Sequence, residues 1–207
     1  VPADNFAPIG LQYVKPLGLP EYSPDKAREL LASTGLTPAQ LTIDFYYPSN
    51  VSRPYMPDPQ GIFEAIAANL EAVGFTIVPK TQPWSPDYLD GSNAGVQPLD
   101  ILGITCQWAG VDNFLKVNYF SYVDGKPKAK FAYQNDNLQT LMNQAIAAPD
   151  AATAEGLWYQ AEEELAKDLP IIPLVNSRPP AAARSYVQGF VGAGNLSEHL
   201  NTVWLDK

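Results

Sequence analysis

The chain has 207 residues, 46% hydrophobic and 11% aromatic, enough to bury a full core and too apolar for a disordered segment. Its 22 Asp and Glu outweigh 13 Lys and Arg, for a net charge of −9, and the densest basic patch is only Lys126, Lys128 and Lys130. That is too sparse for a phosphate-binding track and excludes nucleic acid as a partner. No apolar run approaches the ~20 residues of a membrane span. Val1-Pro2-Ala3-Asp4 has neither the charged start nor the apolar stretch of a signal peptide, and reads as the start of a mature product or cut piece. Cys106, the single cysteine, lies in an apolar run and reads as a small core residue.

Residues 1–22 read as an extended lead-in segment, punctuated by Pro16-Leu17-Gly18-Leu19-Pro20. Ser23-Pro24-Asp25 then supplies an N-cap, a proline at the first helical position and an early acid. Ala27, Leu30 and Leu31 recur at helical spacing and Gly35 is the stop. Leu41 to Tyr47 alternates and then turns β-rich, which predicts a strand. Asp58-Pro59 caps a second helix with Ile62, Phe63, Ile66, Leu70 and Val73 on one face, closed by Gly74. Phe75 to Pro79 is the next strand, so the order strand, helix, strand predicts a parallel βαβ unit.

Trp84 to Leu89 reads as one short helix, followed by a strand from Leu99 to Thr105. Farther on, Asn137 to Ala147 carries Leu138, Leu141, Met142 and Ile146 as a helical stripe. Asp150 caps a last helix that runs through Leu157, Ala161 and Leu165 to about Asp168. Pro170 to Val175 reads as a proline-flanked edge strand, and 187–207 as a weakly patterned, Gly-rich tail containing Gly189, Gly192 and Gly194.

Catalytic chemistry finds few parts. His199, the only histidine, sits in that tail, and no Gly-x-Ser-x-Gly elbow frames a serine. One His and one Cys are poor material for a metal site, and no phosphate-cradling glycine loop is present. No catalytic residue, metal or cofactor is therefore expected. Glu162-Glu163-Glu164 reads as a solvated helix face.

The stretch Leu99 to Phe120 is the best candidate for a site. A strand there breaks at Trp108-Ala109-Gly110 and presents Asp112, Asn113 and Phe114 together, where ligands of α/β sheets collect. Trp84, Tyr88, Trp108 and Phe114 could stack on a ligand's flat groups. Phe114 alone reads as core, and Trp108 reads equally as core or platform. Asp112 is either a turn residue or a counter-ion for a ligand ammonium.

Several segments, in order, resemble one family. YSPDKARELLASTG, the stretch LTIDFYYPSN through QPWSPDYL, QWAGVDNFL and LWYQAEEELAKDLPIIPLVNSRP are similar to segments of the family-5 extracellular solute-binding proteins, the oligopeptide- and dipeptide-binding components of ABC importers. The likeness runs from about Tyr22 to Phe190 and matches the C-terminal lobe, or domain III. It implies an α/β fold: one lobe of a type II periplasmic-binding-protein fold, a mixed, mostly parallel sheet flanked by helices. Residues 1–22 would come from a missing N-terminal lobe, 23–186 would form the lobe, and 187–207 would return to the missing one.

The resemblance also implies a role. A peptide or similar small solute is captured between two lobes by Venus-flytrap closure and delivered to ABC permease subunits. The protein would be extracytoplasmic, as a periplasmic protein or cell-surface lipoprotein, touching the membrane only through a lipid anchor outside this chain. Trp108, Asp112, Asn113, Phe114, Trp84 and Tyr88 would line the ligand site. The family's Asp-Pro pair is missing between Gly110 and Asp112, which admits an oligosaccharide, an opine-like compound or an end-blocked peptide beside a free peptide. The alternatives from other classes are a secreted carboxylate-dependent hydrolase and a ligand-sensing interaction module.

Overall fold

In the computed structural model, which describes residues 1–128, 130, 133–178, 180–192 and 200–206, four helices start where a side-chain oxygen closes the first turn. Ser23, Asp58, Asn135 and Asp150 accept from the backbone N–H groups of Lys26, Gly61, Leu138 and Thr153, which would otherwise lack a partner. The chain divides into two compact units. One comprises Gly18–Gly103 and Tyr122–Gln134; the other comprises Val1–Leu17, Ile104–Ser121 and Asn135–Lys207.

The first of these holds the sheet. After α1 (Pro24–Ser33), β1 (Thr42–Ser49) is followed by α2 (Pro59–Val73) and β2 (Thr76–Pro83). β1 and β2 pair in parallel along their whole length, from Thr42 opposite Thr76 to Ser49 opposite Pro83. α3 (Leu89–Ala94) leads to β3 (Leu99–Asp100), which pairs with β1 in parallel and gives the strand order β2-β1-β3. The apolar stripe of α2 covers this sheet: Phe63 and Ala67 are buried with Phe45, Ile77, Ile101 and Met56. Phe63 stacks on Tyr47 at 4.4 Å between ring centroids and meets Phe45 at 4.9 Å. A short hairpin, β4 (Tyr122–Val123) and β5 (Lys126–Pro127), turns at Asp124 and Gly125, both in the left-handed region.

Four expectations change here. β2 runs past Pro79 to Pro83, because it is an edge strand, where a proline nitrogen can face away from the ladder. β3 stops at Asp100 instead of Thr105. Ile101 gives its N–H to the Tyr88 hydroxyl (2.9 Å) and accepts the hydroxyl proton at its carbonyl (2.6 Å), so no strand can pair with it. The helix expected over Trp84–Leu89 is likewise broken by extended Ser85 (φ −136°, ψ 136°), and regular helix begins only with α3. Cys106, expected in the core, is half-buried in the irregular chain that follows.

In the other unit α4 (Asp136–Ile146) and α5 (Ala151–Asp168) pack on each other. α4 buries Leu138, Leu141, Met142 and Ala145, while Ile146, expected in that stripe, is 54% exposed because Ala145 holds the inward position instead. α5 buries Ala154, Trp158, Ala161, Glu162 and Leu165. Glu162 therefore does not belong to a solvated face: the 3.6-residue period that carries Trp158 and Leu165 inward carries this acid with them.

Residues 1–17 pack into this unit, with Phe6 and Ala7 buried and Phe6 edge-on to Phe120 at 6.3 Å. Pro170–Val175 forms no strand, since prolines 170 and 173 lack the N–H a ladder needs. It makes one bridge, Pro2 to Val175, flanked by Ala3 N–H to Leu174 O (3.1 Å) and Asn176 N–H to Val1 O (2.8 Å). The tail supplies an antiparallel pair, β6 (Val187–Gln188) and β7 (Trp204–Leu205). His199 and Gly194 lie outside the described residues.

Replacing Tyr88 by Phe would leave both main-chain groups of buried Ile101 without their partner. Urea denaturation should show a loss of about 1–3 kcal/mol with the circular dichroism spectrum retained. An unchanged midpoint would mean that these groups find other partners.

Candidate functional site

Parallel strands release their following loops at one edge of the sheet, and here those loops carry a cation on an aromatic ring. Past β1, Arg53 and Met56 exchange two backbone hydrogen bonds (3.0 and 2.9 Å), closing a tight loop that buried Met56 anchors in the core. Past β2, Trp84 gives its backbone N–H to Asn50 Oδ1 at 3.0 Å. Asn50 itself takes a left-handed φ of +53°, the turn that ends β1. The Arg53 guanidinium lies 4.8 Å from the centroid of the half-buried Trp84 ring, and Trp84 stacks on Tyr88 at 5.9 Å.

Past β3, Gly103 receives the ring of Tyr55 against its backbone: a Cβ there would collide with Tyr55 Cδ2. Burial raises the Tyr55 pKa, and the Arg53 charge pulls the other way. The exposed face of Arg53 is suited to an anionic group held outside the carboxyl ends of the strands.

In the other unit, the Trp108 indole N–H points between both carboxylate oxygens of Asp112, at 3.1 Å from each. Gly110 N–H bonds Trp108 O (3.0 Å) and Asn113 N–H bonds Gly110 O (3.1 Å), so the loop closes on itself. Only glycine fits at position 110, because a Cβ would lie 3.0 Å from Trp108 Cδ1 and closer still to Asp112 Oδ1. The clasp fixes a carboxylate beside an indole that remains 44% exposed.

Asp112 also lines an open cavity of about 490 Å³, with Val111, Gln12, Tyr13, Ile146 and Trp158 among its walls. Asp150 stands on the same rim, its pKa lowered by hydrogen bonds from Thr153.

The six residues expected at the site separate. Trp108 and Asp112 are joined in the clasp. Asn113 and Phe114 follow them but point inward, both buried. Asn113 Oδ1 accepts from Gln107 N–H (3.2 Å) and Asn118 Nδ2 (3.1 Å), while its own Nδ2 bonds no protein group. Trp84 and Tyr88 belong to the sheet-bearing unit. Tyr88 is fully buried with its hydroxyl used by Ile101, so it fastens the sheet and offers a ligand nothing. Burial, followed by the Asp100 charge, raises its pKa.

Arg53 was not among the expected residues. Its signal was legible all the same: an arginine just past a strand whose parallel partner ends in a tryptophan. Among the described residues no group of three His, Cys, Asp or Glu is placed to hold a metal ion.

The chain is 27% identical over 174 residues to di/tripeptide-binding protein 4 of Pseudomonas aeruginosa, covering 82% of this chain and 31% of that protein. It is 29% identical over 171 residues to heme-binding protein A of Haemophilus influenzae, covering 82% and 30%. The fold matches a dipeptide-binding protein from Pseudoalteromonas sp. SM9913 in complex with Met-Leu. That match has a TM-score of 0.81 at 18% identity and covers all of this chain and 40% of the other. These likenesses agree with the resemblance to the family-5 extracellular solute-binding proteins read from the sequence.

No protein-family model matches it. The chain spans less than a third of the length of those sequence relatives. Its three parallel strands flanked by helices are an α/β fold, which it shares with the periplasmic binding proteins that it matches in structure. The relatives carry the names of binding proteins, and no helix among the described residues is long and apolar enough to cross a membrane.

Opening the clasp should be visible at one atom. In Gly110→Ala the added methyl drives Asp112 from Trp108, and the Trp108 indole N–H should exchange with solvent roughly tenfold faster, the loss of one charge-assisted hydrogen bond at an exposed site. Nitrogen-15 NMR reads that proton directly. An unshifted indole resonance would place the carboxylate elsewhere.

Proposed function

We propose that this chain is the C-terminal lobe of an extracytoplasmic, Venus-flytrap substrate-binding protein. A partner lobe of the same protein closes with it on a peptide or similar small solute, and ABC permease subunits receive that cargo. The observation that carries the reading is the double likeness: a sequence relative named for di- and tripeptide binding, and a matching fold solved with a bound dipeptide. Both likenesses cover well under half of the other protein, as one lobe of two would. The heme-binding relative keeps the solute class broader than peptides. Binding without turnover follows from the same names and stands against the hydrolase alternative.

Asp112 offers a counter-charge for a ligand ammonium, and in the sheet-bearing unit Arg53 separately offers a planar fork for an anionic group. Trp108 and Trp84 offer flat apolar faces beside them. Asn113 acts through the loop it stabilises. A periplasmic or cell-surface setting, with a lipid anchor outside this chain in the second case, completes the reading.

The test is calorimetry on the intact protein that carries this chain, titrated with Met-Leu. Asp112→Asn should weaken binding by about ten- to a hundredfold, the worth of a hydrogen bond to a charged group. N-acetylation of the dipeptide should reproduce that loss and make Asp112→Asn silent. No binding by the parent protein, or full affinity in that variant, would overturn the peptide reading.

A further inference from the structure

Residues 1–17 are fastened to α5 by an arrangement that the ligand reading does not use. Lys15 Nζ meets Glu163 Oε1 at 2.7 Å and lies 4.6 Å from the centroid of the Tyr159 ring. Beside that pair Glu162 is fully buried, and neither of its carboxyl oxygens closes a hydrogen bond. Asn5, also buried, donates instead to Lys15 O at 2.8 Å and accepts from Ala7 N–H at 3.1 Å. Leu17 N–H bonds Asp4 O at 3.0 Å, which closes the segment on itself. The same segment contributes Gln12 and Tyr13 to the cavity that Asp112 lines.

The groups facing Glu162 come from both sides. From residues 1–17, the Asn5 amide, the Lys15 main chain and the Lys15 charge favour the ionised form; from α5, Glu163 opposes it. α4 turns only Leu138, Leu141, Met142 and Ala145 inward against α5. Burial outweighs the favourable neighbours and pushes the Glu162 pKa up to about 7. A neutral carboxyl can remain in this place. It carries no charge to desolvate. An ionised carboxylate with no hydrogen bond closed is driven toward water.

We propose that residues 1–17 are a strap whose latch on α5 is the buried Glu162 carboxyl, closed while that group is protonated and loosened when it ionises. The folded pKa lies above the unfolded one of about 4.5, so the latch is fully favoured below that value and lost as pH rises through about 7. Loosening removes the cavity wall formed by Gln12 and Tyr13.

Hydrogen exchange on the intact protein, at pH 6 and pH 8.5 and corrected for the intrinsic rate, tests this without any ligand. In the natural chain, protection of the Ala7 and Leu17 amides should fall at least roughly tenfold between the two. In Glu162→Gln, which stays neutral, it should not fall. An equal fall in both proteins, or none in the natural one, overturns the latch. A carbon-13 titration of the Glu162 carboxyl in the unaltered protein covers the case in which the variant does not fold. A midpoint coinciding with the loss of protection supports the latch, and a midpoint near the ordinary carboxylate value overturns it.

Discussion

The in-register parallel ladder between β1 and β2 is the constraint on which the sheet-bearing unit depends. Antiparallel strands would send their loops to opposite edges. Parallel strands that end together, Ser49 opposite Pro83, deliver Asn50 and Trp84 to the same edge, with Arg53 only three residues farther along. The ladder holds because α2 returns the chain to its starting edge while covering Phe45 and Ile77 with Phe63 and Ala67. Apolar burial thus sets the position of a charged group that takes no part in the core.

Tyr88 in one unit and Glu162 in the other are both fully buried polar groups, and they are handled differently. Tyr88 is satisfied in both directions by Ile101, so its hydroxyl ends β3 and locks the sheet. Glu162 has no such closure, and its state depends on a proton. A satisfied polar group in a low-dielectric interior stabilises one arrangement. An unsatisfied acid leaves two arrangements near balance.

Much of this was readable from residues alone. The caps at Ser23, Asp58 and Asp150 and the stops at Gly35 and Gly74 mark their helices because they answer local hydrogen-bond and backbone demands. The βαβ order followed from period and length. What was not readable depended on partners distant in sequence. β3 is short because a tyrosine thirteen residues earlier takes its next main-chain groups. Glu162 looks like one of three solvated acids until residues 1–17 cover it. The clasp was half legible: Trp108, Gly110 and Asp112 were singled out, while the bond joining them needed the loop geometry that folds Asp112 back against Trp108.

The geometry of the clasp sets what the Asp112 carboxylate still offers. The Trp108 indole occupies part of the Asp112 carboxylate, but a carboxylate offers about four acceptor positions, so the clasp orients the charge without consuming it. That spare capacity leaves room for a second donor at the carboxylate. The carboxylate and the ring can lie against each other because Gly110 has no Cβ, which would crowd Asp112 Oδ1 and Trp108 Cδ1 alike.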